Sequence, residues 1–221
     1  MASLALFDLD GTLTDPVPGL ITCHRHALEQ IDLDFDKLVE KQPRAETSEL
    51  VRIPAPDLYE LLGVAPDEAA DAAQHFRQHR VVAGWLEDVL YPGIDDLLSQ
   101  LTSAGWRIAV ATNQLEPLAI RILERLEIAE RFEVIVGSDT DRTRTNKSEI
   151  ISHVVASLTT ESEGTAVIAD RAADVAAAKS IQMTAIGAAW GFGSIEELMG
   201  ADADAIAVTP ADVAELLLGS S

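Results

Sequence analysis

Cysteine is nearly absent from the sequence: Cys23 stands alone among 221 residues, so no internal disulfide can form. Its thiol reads as a small apolar side chain of the core. Positive charge is also scarce, with 16 Lys and Arg against 37 Asp and Glu and a net charge of −21. Such a balance opposes attraction to phosphate backbones, and nucleic acid is not an expected partner. No apolar run approaches the roughly 20 residues that span a bilayer, so no membrane association is expected. The amino-terminal apolar run is only Leu4–Phe7 and has no basic flank, unlike a signal peptide. These absences predict a soluble cytoplasmic protein, and the 48% hydrophobic content is ordinary for a globular chain with a substantial core.

Against that background one stretch stands out, "LALFDLDGTLTD" from Leu4 to Asp15. A strand that only packs should not end in paired negative charge, because unpaired carboxylates are costly away from water. In an extended chain residues two apart share a face, so Asp8 and Asp10 can aim at one point beyond the strand. Gly11 follows, where the backbone can turn without a Cβ penalty.

After Asp15 the periodicity becomes helical. Helices are predicted over Gly19–Ile31, over "KLVEKQ" as far as Pro43, in "RIPAPDLYELLGV", and over a long segment from Asp67 to Leu90 that Gly84 weakens. No strand pattern occurs between residues 16 and 88. From Tyr91 onward, helices alternate with short apolar strands: "RIAVAT", "FEVIVG", "TAVIAD", "MTAIGAAW" and "AIAVT". The last helix, "PADVAELLLG", has Thr209 as its expected N-cap. This alternation indicates a parallel sheet covered on both faces, whose ligand site lies beyond the carboxyl ends of the strands. The polar residues at those ends are Asp8 and Asp10, Thr112 and Asn113, and Asp170, with Lys147 opening the helix after "FEVIVG".

Paired carboxylates, a third from another strand, a hydroxyl and a lysine suggest phosphoryl transfer. A carboxylate can attack phosphorus and split one hard displacement into two easier ones. Charge is the obstacle, since each unit-charge pair at 4 Å costs about 4 kcal/mol at an effective dielectric of 20. A Mg²⁺ ion held by oxygen ligands removes that repulsion, while Lys147 and the Thr112 hydroxyl would neutralise and orient phosphate oxygens. The second carboxylate is then available to donate and take protons.

These motifs resemble the haloacid dehalogenase superfamily of phosphohydrolases, and within it the phosphoglycolate phosphatase-like branch. The pattern D-x-D-G-T-x-T reads "DLDGTLT" from Asp8 to Thr14; "IAVATN" ends in Thr112 and Asn113; "RTNKSEII" carries Lys147; "ADRAAD" carries Asp170 and Asp174. "GAAWGFGS", Gly187 to Ser194, resembles a loop of the same branch. The resemblance implies an α/β, Rossmann-like parallel-sheet core formed by residues 1–15 and 89–221. It also implies a small all-helical cap domain, residues 16–88, inserted after the first strand. By position it makes Asp8 the nucleophile and a Mg²⁺ ligand, and Asp10 the general acid/base with its carbonyl on the metal. Thr112 and Asn113 would bind phosphate, Lys147 would stabilise the transferring group, and Asp170 would ligate the metal. Asp174 would stand behind them, orienting Lys147 or the metal's waters.

The implied activity is a Mg²⁺-dependent phosphatase acting on a small phosphorylated metabolite. A phosphomutase, or a catalytically weak member that binds a phosphorylated ligand or partner, remains open at this point. Two departures from the family pattern bear on this. Ala169 replaces a usual glycine before Asp170, which would displace Asp170 if that position needed a glycine-only conformation. The segment "KQPRAETSE" replaces a cap loop that contacts substrate in relatives; an inward-facing Arg44 there would favour a second anionic group on the substrate. Arg142 and Arg144 read as an exposed loop or the rim of the site, and the histidines His24, His26, His75 and His79 as solvated or packing residues rather than ligands. The oligomeric state is not legible.

Overall fold

The computed structural model describes residues 3–42, 46–139, 144, 146–158 and 164–219. Arg44 and Arg142 lie outside the described residues. The chain divides into two compact units, Met1–Asp15 with Val89–Ser221, and Pro16–Asp88.

In chain order, β1 (Leu4–Phe7) and β2 (Thr14–Asp15) precede the helical unit of α1 (Val17–Glu29), α2 (Phe35–Val39), α3 (Thr47–Leu50), α4 (Ala55–Leu61) and α5 (Pro66–Val82). A 3₁₀ turn at Gly84–Glu87 ends it. The first unit then continues with β3 (Val89–Leu90), α6 (Ile94–Ser103), β4 (Arg107–Leu115), α7 (Glu116–Arg125), β5 (Ile135–Ser138) and α8 (Lys147–Ser157). It closes with β6 (Thr165–Ala169), α9 (Ala172–Ser180), β7 (Thr184–Ala188), α10 (Ile195–Gly200), β8 (Ala205–Ala207) and α11 (Pro210–Leu218).

The main sheet has six strands in the order β5-β4-β1-β6-β7-β8, each paired in parallel with its neighbour. β1 is therefore central, and all four of its residues are buried. Leu4 and Leu6, two apart on one face, join Ile150, Ile151 and Val154 of α8 and Val175 and Ala178 of α9 in one core cluster. Chain order reverses around β1, whose neighbours are β4 on one side and β6 on the other. At such a switch point the strand ends diverge into a crevice that takes ligands. Ala169 lies in regular β6, opposite Gly187, and is not among the described non-glycine residues with positive φ. The position needs no glycine, and the displacement of Asp170 that alanine threatened does not arise.

The helical unit has its own core, in which Ala27 and Leu28 of α1 meet Leu58 and Tyr59 of α4 and Ala69, Ala72 and Ala73 of α5. His24 is fully buried there, its Nδ1 3.0 Å from the Tyr59 hydroxyl, with its ring stacked on Phe35. Burial pushes its pKa down to about 4, so it packs as a neutral ring. His26 and His79 stack on each other with ring centroids 4.0 Å apart.

Two sequence expectations need correction. The helix predicted over Asp67–Leu90 stops at Val82, where Ala83 leaves helical geometry with φ −141°. A Cβ at Gly84 would overlap Cys23 Sγ, so glycine here serves a tight turn against α1 rather than a weakened helix. Leu90 belongs instead to β3, which pairs antiparallel with β2 through Thr14–Leu90 and Asp15–Val89. That ribbon was missed because two-residue strands carry no periodicity to read.

The turn is pinned by an ion pair with almost no access to water. Arg80 Nη1 and Nη2 each donate to a different Asp88 oxygen at 2.7 Å, and the two side chains are 10% and 0% exposed. Removing one partner strands the other charge in the interior, at a cost of about 3–5 kcal/mol. Asp88→Ala should therefore lower the urea midpoint strongly in far-UV circular dichroism; an unchanged midpoint would show the pair to be dispensable.

Candidate active site

The carboxyl end of β1 delivers Asp8, and the chain then folds back in a tight loop. The N–H groups of Thr12, Leu13 and Thr14 all bond Leu9 O, and Gly11 sits at φ +87°. A side chain at Gly11 would meet the Asp170 carboxylate, so glycine is required both by conformation and by space.

Four of the candidate residues form one buried group. Lys147 Nζ, at the start of α8, lies 2.8 Å from Asp8 Oδ1 and 3.0 Å from Asp174 Oδ1. Asn146 caps α8 by accepting from Glu149 N, in a reciprocal capping box that fixes where Lys147 begins. Asp170, one residue past β6, accepts from Phe192 N at 2.7 Å and from Thr12 Oγ1 at 3.3 Å. Asp8, Asp170 and Asp174 each offer a carboxylate oxygen within 4.8 Å of the others. Leu9 N–H donates to Asp8 Oδ1, the oxygen that also forms the ion pair with Lys147, and Oδ2 has no donor among the described residues.

Asp10 has partners outside this group. Thr14 Oγ1 donates to its Oδ1 and Gln114 Nε2 to its Oδ2, both at 3.3 Å. Thr112 is buried within β4, where its hydroxyl oxygen accepts from Gln114 N at 3.1 Å, leaving the hydroxyl proton to donate elsewhere. Asn113 is exposed and lines a cleft with Lys147. Arg144 does not face this group: it pairs with Glu116 at 2.9 Å and approaches Asp139 at 3.7 Å.

Sequence reading overlooked several supports. Thr12 and Thr14 lie inside the first motif but carried no assigned role. Gln114 gave no signal, since a lone glutamine after a strand reads as solvated. Trp190 Nε1 donates to Thr12 O at 2.9 Å, while Gly191 and Gly193 let the loop press onto Asp170, which any Cβ there would overlap.

Burial dominates the electrostatics. It pushes Asp170 up to about 7, reinforced by the Asp8 charge and opposed by the Phe192 N–H. Burial and Asp8 likewise push Asp174 up to about 6, against the pull of Lys147. For Lys147, burial works against the charge, but Asp8 and Asp174 outweigh it and hold its pKa above the ordinary lysine range. Three buried carboxylates thus face one ammonium. An all-oxygen, over-negative donor set of this kind fits a hard divalent cation such as Mg²⁺.

A family model described as haloacid dehalogenase-like hydrolase matches residues 2–182. The chain belongs to this family. Among its relatives, it is 37% identical to the tyrosine-protein kinase PtkA of Mycobacterium tuberculosis, over 86% of this chain and 63% of PtkA. It thus spans under two thirds of that protein's length. It is 33% identical to a 5'-nucleotidase of Pseudomonas aeruginosa (87% of this chain, 85% of the relative). To a phosphoglycolate phosphatase of Rhodospirillum rubrum it is 32% identical (87% and 81%). The crystal structure of a predicted phosphatase from Clostridium acetobutylicum superposes with a TM-score of 0.80 at 30% identity, covering 100% of both chains. The haloacid dehalogenase-like fold accounts for the parallel sheet. No helix among the described residues is long and apolar enough to cross a membrane.

The raised carboxyls set a pH dependence. Asp170 has a folded pKa of about 7 against an ordinary value of 3.8, so the folded state holds its proton more tightly. The resulting stabilisation is complete below about pH 4 and is lost as pH rises through 7. A divalent cation competes with that proton. Mg²⁺ should therefore raise Tm clearly at pH 8 and little at pH 5, and Asp170→Asn should shrink the difference. Equal shifts at both pH values would contradict the assignment.

Proposed function

We propose that this haloacid dehalogenase-like hydrolase is a Mg²⁺-dependent phosphatase that hydrolyses a small phosphomonoester through an aspartyl-phosphate on Asp8. One observation carries the reading. Asp8 has one oxygen fixed by Lys147 and Leu9 N–H and the other without a donor among the described residues, at the end of the central strand. A carboxylate held in this way is oriented for attack on phosphorus.

Asp8 Oδ2 forms a bond to phosphorus as the ester P–O bond breaks, and Asp10 gives its proton to the departing oxygen, releasing the alcohol. Water then attacks the aspartyl-phosphate and passes a proton to Asp10; the phosphorus–Asp8 bond breaks and inorganic phosphate leaves. Lys147 balances the charge that gathers on the transferring group. The Thr112 hydroxyl proton and Asn113 hold phosphate oxygens. Asp8, Asp170 and the Asp10 carbonyl would hold Mg²⁺, with Asp174 keeping Lys147 in place. Bound there, the cation would supply the charge cancellation that lets an anion approach three carboxylates.

The 5'-nucleotidase and phosphoglycolate phosphatase relatives support a phosphomonoester as substrate. Kinase activity belongs by name to PtkA, a longer protein of which this chain covers 63%. A cytoplasmic enzyme acting on a phosphorylated metabolite fits the acidic, single-cysteine composition.

A panel of phosphomonoesters should be hydrolysed with Mg²⁺ and not after chelation. Asp8→Asn should lose on the order of a thousandfold or more in kcat, and Asp10→Asn about 10²–10⁴-fold. Near-normal turnover by Asp8→Asn would rule out the covalent route.

A further inference from the structure

Gln114 lies outside every motif, yet its side chain has a defined task. Its Nε2 donates to Asp10 Oδ2 at 3.3 Å and its Oε1 accepts from Leu115 N at 3.1 Å. These two partners fix the amide orientation, because a backbone N–H needs an acceptor and a carboxylate a donor. Thr14 Oγ1 donates to the other Asp10 oxygen, so both carboxylate oxygens have a donor and the plane of the group is set.

The backbone explains why residue 114 can reach Asp10. The register between β4 and β5 shifts between Ala111 and Leu115, which takes residues 112–114 out of the regular ladder. Gly137 of β5 accommodates the shift, since a Cβ there would lie 2.5 Å from Gln114 O and 2.7 Å from Glu116 N. Irregularities of this kind re-aim side chains beside active sites.

We infer that Gln114 is a positioning residue for proton transfer, holding the Asp10 carboxyl in the orientation that serves the leaving oxygen. The inference rests on the phosphatase reading above and adds a residue to it. Its consequence is chemical as well as structural. A poor leaving group, such as an alkoxide, needs its proton during P–O cleavage, whereas p-nitrophenolate departs with little help. Misorienting Asp10 should therefore slow the first class far more than the second.

The test compares kcat/KM, which reports the steps up to phosphoryl transfer, for p-nitrophenyl phosphate, phenyl phosphate and simple alkyl phosphates. Three proteins are used: the parent, Gln114→Met and Gln114→Ala. Gln114→Met keeps the chain length and removes the donor; Gln114→Ala removes both. Circular dichroism and Tm confirm that each variant is folded. Expected are losses of about ten- to a hundredfold on alkyl phosphates, part of what a general acid supplies, with less than about threefold on p-nitrophenyl phosphate. A uniform loss across the series, or none, would overturn the positioning role while leaving the phosphatase reading intact. A parent protein that hydrolyses no member of the series with Mg²⁺ would overturn both.

Discussion

The fold turns on one arrangement of charge: three buried carboxylates around a single buried ammonium. Asp8 and Asp174 meet at Lys147, and Asp170 stands within 4.8 Å of both aspartates. Buried charges are tolerated only where other groups satisfy them, so much of the surrounding structure serves that end. The capping box at Asn146 fixes the start of α8, and the Phe192 N–H reaches Asp170. Gly11, Gly191 and Gly193 clear the space that side chains would take from the Asp170 residue.

A division of labour follows from the same geometry. Asp8 is paired with lysine and lies among the acidic group, whereas Asp10 accepts from Thr14 and Gln114. Two aspartates one residue apart thus have different partners. The proposed mechanism uses that difference, with phosphorus on Asp8 and protons on Asp10. The two side chains part where the chain leaves β1 and folds back over Leu9 O, in a loop held by a few backbone hydrogen bonds.

Much of this was legible in the sequence because strand ends announce themselves. A buried parallel strand reads as an apolar run, and an aspartate or threonine at its end has no packing role to explain it. Asp8 and Asp170 were found in this way, Lys147 as the residue that opens the helix after a strand, and Thr209 as an N-cap, which accepts from Asp212 N. The β2–β3 ribbon was too short for periodicity, and the end of α5 at Val82 depends on an ion pair and a glycine contact made across the helical unit. Gln114 was invisible for a related reason. Its direction is set by a register shift against another strand, and such shifts leave no local trace in composition. Arg44, the residue on which a second anionic group was expected to depend, falls outside the described residues.

The central claim is that phosphorus becomes bonded to Asp8 during turnover. The most direct measurement is to mix the protein with Mg²⁺ and p-nitrophenyl phosphate, quench in acid, reduce with borohydride and map the peptides by mass spectrometry. Borohydride converts an acyl-phosphate aspartate to homoserine. The account predicts homoserine at position 8 alone, dependent on Mg²⁺; homoserine at another position, or turnover that leaves Asp8 unmodified, would contradict it.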